Sequence, residues 1–324
     1  MNKLIVSVSP HIHDKSTTSR IMLDVIIALV PAFIASVLIF GARAAVVTCA
    51  CVASCVFFEW AFTKITKRKN PIDDYSAIIT GILLAFNLPV TIPIWQAVFG
   101  SAIAIILVKQ LFGGLGKNFA NPAITARIVM FLAFSVSMTN WSSPYETTSL
   151  WAYPIDGVAG ATPLALIKRD EIEALPSLWN MFLGVRGGSF GETSNLALLI
   201  GGIYLMLRRV ITWHTPVVYI AVVTGLSMAL GLDPMYQMFA GGLFIGAIFM
   251  ATDYVTTPQT NLGRIVFGIG AGMFTVLFRV FSSYPEGVSF AILLMNILTP
   301  YINKLTERIP LGAVYKASPK DDDA

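Results

Sequence analysis

Apolar residues are concentrated in ten segments separated by polar stretches, and one polar interval, residues 139–195, is much longer than the rest. The segments are 21–40, 44–62, 75–88, 94–108, 123–138, 196–211, 216–232, 235–251, 265–278 and 288–302. A helix needs about 20 apolar residues to cross a bilayer, so the first two are long enough. The shorter segments are expected to be tilted, broken or packed inside protein. The pattern predicts an all-α polytopic membrane protein with about ten transmembrane helices.

Lysine and arginine are unevenly distributed between the two sides of this arrangement. With the N-terminus in the cytoplasm, 17 of the 22 basic residues fall in cytoplasmic segments and 5 in outer segments. Cytoplasmic loops of membrane proteins carry such an excess. The sequence therefore predicts cytoplasmic N- and C-termini and an extracytoplasmic interval at 139–195.

The two groups of five segments resemble each other. Four residue types recur 165 positions apart, in the pairs Gly81 and Gly246, Val90 and Val255, Thr91 and Thr256, and Pro93 and Pro258. Because each group has an odd number of spans, duplicated halves would be inverted relative to each other, with broken helices near the membrane midplane. The expected parts are a cytoplasmic N-terminal arm (1–20), a first repeat (21–138), the extracytoplasmic loop (139–195), a second repeat (196–303) and a cytoplasmic tail (304–324).

Composition agrees with a membrane protein. Hydrophobic residues make up 56% of the chain and charged residues 12%, with a mean hydropathy of +0.73. A soluble protein carries roughly 25% charged residues. The formal charge of +4 is too small to indicate a nucleic acid partner.

The extracytoplasmic loop contains the run Asp-Gly-Val-Ala-Gly-Ala-Thr-Pro at 156–163. Its glycines and alanines carry little bulk, so the active site of another protein could close over the backbone there. Pro163 favours an extended backbone at Thr162, which we expect to present its hydroxyl outward. On these residues alone, the alternative is an ordinary surface turn.

Two glycine-rich stretches precede apolar segments. Residues 112–118 read Phe-Gly-Gly-Leu-Gly-Lys-Asn and are followed by Asn-Pro-Ala at 121–123, on the cytoplasmic side. Residues 187–194 read Gly-Gly-Ser-Phe-Gly-Glu-Thr-Ser and lie outside. Glycines before a helix let backbone N–H groups approach a ligand, so residues 187–194 are expected to form an anion-binding nest. The alternative there is a flexible loop in which Thr193 or Ser194 caps the next helix.

Motifs along essentially the whole chain resemble the membrane subunits of Rnf complexes and of Na+-translocating quinone reductases. Residues 156–163 are similar to their flavinylation motif, although Ala159 stands where Ser or Thr is frequent. Ser-Pro-His at 9–11, both glycine-rich stretches and Ala-Thr-Asp at 251–253 also match. The resemblance implies that a flavin transferase esterifies Thr162 with the phosphate of FMN. It also implies a second, non-covalent flavin, riboflavin, near residues 113–118.

The resemblance assigns cofactor contacts to these motifs. The implied residues are Asp156, Gly160, Ala161, Thr162, Gly187, Gly188, Glu192, Thr193, Gly113, Gly114, Lys117 and Asn118. The implied function is electron transfer in an ion-translocating ferredoxin:NAD+ oxidoreductase of the bacterial cytoplasmic membrane. Electrons would pass from a partner's flavin to the FMN on Thr162 and then to riboflavin. The implied partners are the A, B, C, E and G types of Rnf subunit, the flavin transferase, membrane lipid, and Na+ or H+.

Two alternatives remain. The chain could be a B-type subunit of a Na+-translocating NADH:quinone reductase, but those subunits usually carry a longer extension than the twenty residues before the first span here. It could also be an inverted-repeat permease or channel without redox activity. A permease has no reason to place the 156–163 run and a glycine–hydroxyl loop together outside the membrane, so the flavin interpretation is favoured.

Ionisable residues inside apolar segments are costly and are candidates for function. Asp24 and Glu59, near cytoplasmic ends, are either interfacial carboxylates or ion ligands. Asp253 follows the eighth segment at an expected helix break, where freed carbonyl oxygens and a carboxylate suit Na+. Three cations are expected to snorkel to the inner surface or to neutralise a flavin anion: Lys109, Arg127 and Arg264.

Overall fold

The computed structural model of the chain describes residues 17–68, 72–145, 162–282 and 287–307, and its regular structure within these ranges is helical. The first half forms helices α1 (Thr18–Phe40), α2 (Ala42–Ile65), α3 (Ser76–Phe86), α4 (Ile94–Gln110), α5 (Pro122–Ala133) and α6 (Ser135–Met138). The last part of α4, Ile103–Gln110, is π-helical. Most of the N-terminal arm and of the C-terminal tail lies outside the described residues.

The long polar interval and the second half supply the remaining helices. They are α7 (Pro163–Lys168), α8 (Leu178–Leu183), α9 (Asn195–Leu207), α10 (His214–Ala229), α11 (Pro234–Phe239), α12 (Leu243–Ile245), α13 (Asn261–Phe281) and α14 (Val288–Thr306). Helix α12 continues into a π-helical stretch, Gly246–Met250. The break between α11 and α12 was not predicted, and it contains Gly241 and Gly242, both in the left-handed region (φ +64° and +68°).

Four helices in the described residues, α1, α2, α13 and α14, are long and apolar enough to cross a membrane. Helices α3, α4, α5, α9 and α10 are apolar but shorter, at 10–17 residues. The prediction of a helical, multi-pass membrane protein is therefore confirmed. Ten spans, inverted repeats and the sidedness of the loops stay predictions.

The helical structure is interrupted at two places where prolines and polar residues follow short apolar helices. After α3, the guanidinium of Arg43 donates to the carbonyl oxygens of Val90 (3.0 Å) and Ile92 (3.2 Å). After the π-helical stretch at 246–250, the Thr299 hydroxyl donates to the Thr256 carbonyl at 2.8 Å. Side chains thus bind backbone groups that the broken helices leave without partners, as buried backbone requires.

The two halves share one hydrophobic core. Helix α1 packs against α9, and α5 packs against α14, so each half contributes helices to both contacts. Small residues allow close approach at the α1–α9 contact, as is common between membrane helices. This packing brings the ends of α1, α3, α5 and α9 around one partly open cavity.

Candidate functional site

The cavity lies between the two halves of the chain. Its apolar wall includes Met22, Ile79, Leu83, Leu205, Ile248 and Phe249. Its polar lining includes Ser76, Thr80, Lys109, Asn118, Asn121 and Asp253. A mostly apolar site with a few convergent polar groups is typical of sites for small molecules and cofactors.

Asn118 supplies an unsatisfied polar atom to this cavity. Its Oδ1 is buried and has no hydrogen-bond partner among the described residues. The neighbouring Asn121 caps α5, and its Oδ1 accepts from the backbone N–H groups of Ala123 (3.0 Å) and Ile124 (3.3 Å). Buried polar atoms are rarely left unpaired, so Asn118 offers an acceptor for a water molecule or for a ligand that donates a hydrogen bond.

The glycine-rich loop before Asn118 has the backbone that its sequence requires. Gly113, Gly114 and Gly116 all have positive φ (+113°, +91° and +89°). Such angles favour glycine strongly. The three glycines turn the chain after α4 and bring Leu115 and Asn118 into the cavity lining, whereas Lys117 is exposed and outside that lining.

Asp253 also lines the cavity, from the opposite half. Its Oδ1 accepts from the Val255 N–H at 3.4 Å, and its Oδ2 accepts from the Thr256 hydroxyl at 3.2 Å. The described residues contain no group of three His, Cys, Asp or Glu side chains placed to hold a metal ion. An ion at Asp253 would therefore need further oxygen ligands, such as carbonyl oxygens of the break, and its role as an ion ligand stays a prediction.

Lys109 does not reach the inner surface, so the snorkelling prediction is wrong for this residue. Its side chain is buried, and Nζ lies 2.6 Å from Oε1 of Glu59, which is fully buried. Nζ also donates to the Ser76 hydroxyl at 2.5 Å, and Gln110 Nε2 donates to the same Glu59 oxygen at 2.8 Å. Glu59 is thus half of a buried ion pair rather than an interfacial carboxylate.

Arg127 is buried and Arg264 is half-buried, and both guanidinium groups bind acceptors within the protein. Arg127 donates to the Ser289 hydroxyl at 2.7 Å and lies 3.9 Å from Oε2 of Glu192. Arg264 donates to the Pro258 carbonyl (3.2 Å) and, with its other nitrogen, to the Thr212 hydroxyl (3.1 Å). Because each guanidinium has internal acceptors, neither needs to extend to the surface.

Asp24 is bound by α9. Its two oxygens accept from the Tyr204 hydroxyl at 2.9 Å and from Arg208 at 3.2 Å. This pair joins the first and second halves next to the cavity, between cavity-lining residues of α1 and α9. The sequence marks Asp24 as an ionisable residue in an apolar segment but contains no signal for its partners.

Thr162 has the extended backbone that Pro163 predicts (φ −68°, ψ 150°). Its side chain is buried, with 6% exposure, so the expectation of an outward hydroxyl is wrong. The hydroxyl oxygen caps α7 by accepting from the Ala165 N–H at 3.3 Å. The cause is α7 itself, which packs Leu164 against Met181 and therefore draws its N-cap residue, Thr162, into the protein.

The stretch 187–194 is packed rather than flexible. The Phe190 and Gly191 N–H groups donate to the carbonyls of Leu88 (3.4 Å) and Phe86 (3.3 Å), so these amides are not available to an anion. Ser194 caps α9 by accepting from the Ala197 N–H at 3.4 Å, which confirms that part of the alternative interpretation. The loop therefore docks on the end of α3.

The structure brings only part of the predicted site together. Asn118, Asp253 and Lys109 share the cavity, whereas Gly113, Gly114 and Lys117 support it from outside the lining. Gly187, Gly188, Glu192 and Thr193 belong to the packed loop, and Asp156, Gly160 and Ala161 lie outside the described residues. Ser76 and Gln110 were missed, because neither belongs to a recognisable motif.

Comparison with known proteins relates nearly the whole chain to one family. Residues 5–312 match the profile of the NQR2, RnfD, RnfE family. The chain is 45% identical to the D-type subunit of the Na(+)-translocating ferredoxin:NAD(+) oxidoreductase complex of Acetobacterium woodii, over 94% of this chain and 95% of that protein. It is 41% identical to the D-type subunit of the proton-translocating complex of Clostridium ljungdahlii, over 96% and 97%. The D-type subunit of the ion-translocating oxidoreductase complex of Alcanivorax borkumensis is 36% identical, over 94% and 95%. The chain therefore belongs to the NQR2, RnfD, RnfE family.

Proposed function

We propose that this chain is the flavin-carrying membrane subunit of an ion-translocating ferredoxin:NAD+ oxidoreductase, with FMN esterified to Thr162 and a second flavin in the cavity. Its place in such a complex rests on the relatives in Acetobacterium woodii and Clostridium ljungdahlii, which are named as D-type subunits of these complexes. Those two names differ in the cation, Na+ in one and protons in the other. Bound flavins supply the electron-transfer chemistry, while the protein binds and orients them.

The observation that supports the second flavin most directly is the unpaired Asn118 Oδ1 in the cavity wall. The isoalloxazine ring is a flat, largely apolar body with a polar edge that carries an N–H. The apolar wall suits the body of the ring, and Asn118 offers an acceptor for the N–H. Lys109, on the same wall, provides a positive charge for a reduced, anionic ring.

Thr162 also fits its proposed role. Its oxygen accepts a hydrogen bond from the Ala165 N–H, and no described residue accepts its hydroxyl hydrogen. Esterification replaces that hydrogen and leaves an oxygen that can still cap α7. Because Thr162 is buried, the flavin transferase must act before α7 docks or while α7 is displaced.

The decisive experiment is to look for covalent flavin on the subunit. When it is produced with the transferase, denaturing gels should show flavin fluorescence, and the mass should exceed the sequence mass by one FMN less one water. Thr162→Ala should abolish both. Ser177→Ala is the matched control, because Ser177 also caps a six-residue helix by accepting a backbone N–H at 3.3 Å. It should remain fluorescent.

Three outcomes would contradict the proposal. A wild-type subunit without fluorescence and without added mass would remove Thr162 from the role of flavin acceptor. Loss of flavin from Ser177→Ala as well as from Thr162→Ala would show that the signal follows the fold of the outer helices rather than the hydroxyl. A purified subunit without non-covalent flavin would refute the cavity assignment.

A further inference from the structure

The buried pair of Glu59 and Lys109 is a site for which electron transfer alone gives no reason. Glu59 has 0% exposure and Lys109 1%. One carboxylate oxygen of Glu59, Oε1, forms the ion pair with Lys109 Nζ and accepts a hydrogen bond from Gln110 Nε2. The other oxygen, Oε2, is buried without a hydrogen-bond partner among the described residues. A half-satisfied carboxylate in an apolar environment is costly, so its retention indicates a function.

The π-helical end of α4 produces this arrangement. Its hydrogen bonds run from Leu111 N–H to the Ile106 carbonyl and from Gly114 N–H to the Lys109 carbonyl, five residues back in each case. The wider turn brings the consecutive residues Lys109 and Gln110 onto the same carboxylate of α2. Such π-helical turns are frequent at functional sites.

A continuous chain of hydrogen bonds connects this pair to the surface. Lys109 Nζ donates to the Ser76 hydroxyl, and that hydroxyl is bonded to Oδ1 of Asp74, which is half-buried. The Ser76 N–H donates to the same Asp74 oxygen at 2.8 Å. Protons can therefore reach Glu59 from water through three side chains.

Lys109 is shared between Glu59 and the cavity. An ammonium group has three N–H donors. Two go to Glu59 and Ser76, and the side chain forms part of the cavity wall. A negative charge in the cavity would compete with Glu59 for the positive charge of Lys109. Glu59 would then be a buried carboxylate with reduced compensation, and such a group takes up a proton.

We infer that Glu59 binds one proton when the cavity beside Lys109 gains one negative charge, with Asp74 and Ser76 as the route from water. This inference rests on the proposed function, because the charge is the electron delivered to the cavity flavin by a redox partner in the complex. Lys109 passes a proton to Oε1 of Glu59 and recovers one through Ser76, whose two hydrogen bonds reverse so that a protonated Asp74 donates to the Ser76 oxygen while the Ser76 hydroxyl donates to Lys109. Asp74 takes its proton from water. One electron and one proton enter, so the net charge of the region does not change.

The surroundings of Glu59 favour a proton over a metal cation. Its two polar contacts, Lys109 and Gln110, are N–H donors, which repel Na+, whereas hard cations need several oxygen ligands. The other titratable or charged groups near the pair are Cys55, one turn earlier on α2, Asp74 before α3, and Arg68, which donates to the Gln110 carbonyl at 3.2 Å. Only Asp74 among them is a carboxylate, and the network reaches it through Ser76 and Lys109.

Infrared difference spectroscopy on the purified holo-complex tests the inference. Electrochemical reduction of the wild type should produce a protonated-carboxyl band that shifts in D2O, and a pH indicator should record proton uptake. Glu59→Gln should lose this band and take up one proton fewer per electron delivered to the cavity. Glu59→Asp should retain the uptake with a displaced band. Asp24→Asn, which changes another buried, cation-paired carboxylate beside the cavity, should keep the Glu59 band.

The results that overturn the inference are separate from those that overturn the proposed function. If the second flavin is present but Glu59→Gln keeps the band and the uptake, Glu59 is not the proton site. If Glu59→Gln does not fold, an unshifted band in Glu59→Asp leads to the same conclusion. If the wild type itself contains no extractable second flavin, the proposed cavity assignment fails, and this inference fails with it.

Discussion

Gly201 lies where α9 crosses α1, and replacing it tests whether the close contact between the two halves shapes the cavity. A Cβ at Gly201 would lie 2.1 Å from the carbonyl oxygen of Ala28. Real Cβ contacts stay at 3.0 Å or beyond, so Gly201→Ala must separate the two helices by about 0.9 Å. The opposing atom belongs to the backbone, so no rotamer change relieves the overlap.

Two other helical glycines provide a graded comparison. At Gly202 the added Cβ would lie 2.9 Å from Cγ2 of Ile248, a side-chain atom that can move, and at Gly225 nothing lies within 4 Å. Overpacking a close contact costs about 1–3 kcal/mol. Alanine is favoured over glycine in a helix by about 0.8–1 kcal/mol. Stability should therefore fall by up to about 2 kcal/mol for Gly201→Ala, change little for Gly202→Ala, and stay level or rise by up to about 1 kcal/mol for Gly225→Ala.

The measurement is the unfolding midpoint of the purified subunit in detergent, together with its content of non-covalent flavin. Helices α1 and α9 contribute Met22 and Leu205 to the cavity, so the displacement in Gly201→Ala should also reduce the flavin that co-purifies. Gly225→Ala should retain both properties. Equal midpoints for Gly201→Ala and Gly225→Ala would refute the reasoning, since they would show that α1 and α9 do not approach as closely as the packing requires.

Three other predictions concern the cavity and the topology. Asn118→Leu removes the hydrogen-bond acceptor and should weaken binding of the second flavin about tenfold, equivalent to about 1.4 kcal/mol. Lys117→Ala, at an exposed position, should leave flavin binding unchanged, and equal losses of affinity in the two variants would contradict the assignment of the flavin to the cavity. Asp253→Asn should impair ion transport and leave both flavins in place, and wild-type transport would exclude Asp253 as a ligand. A reporter fused after Lys168 should be extracytoplasmic and one after Arg68 cytoplasmic; the same location for both would refute the predicted topology.

The positions of the long helices were predictable because hydrophobicity determines them. The segment 21–40 is found within α1 (Thr18–Phe40), and the segment 288–302 within α14 (Val288–Thr306). The predicted segments and the observed helices differ at their ends, because capping residues determine where a helix begins and stops. Thr17 caps α1 by accepting from the Arg20 N–H at 3.3 Å, which starts the helix before its apolar stretch.

Partners of charged residues were not predictable, because they come from distant parts of the chain. Glu59 and Lys109 are 50 positions apart, and Arg127 meets Ser289 from the other half. The general tendency of cations near helix ends to snorkel holds only when no internal acceptor is available. Tertiary packing supplies those acceptors, and the sequence pattern does not show them.

At Thr162, local sequence determines the backbone conformation, whereas tertiary packing determines the burial of the side chain. The following proline determined its backbone, as expected from steric contacts between neighbouring residues. Its burial depends instead on contacts of α7 with Met181 and Ala240, which lie outside the motif. A motif can therefore point to a proposed acceptor residue without indicating how accessible that residue is.

The cavity and the α1–α9 contact are coupled because the same helices form both. A group that binds only the folded protein stabilises it by an amount that grows with ligand concentration relative to Kd. If the second flavin bridges Asn118 of the first half and the wall near Ile248 of the second, its binding opposes separation of the halves. Gly201→Ala weakens that binding as well as the direct contact. Its loss of stability should therefore be larger when flavin is supplied than in flavin-depleted protein, whereas the effect of Gly225→Ala should be the same in both. Equal losses for Gly201→Ala under the two conditions would show that the cavity and the helix contact are independent.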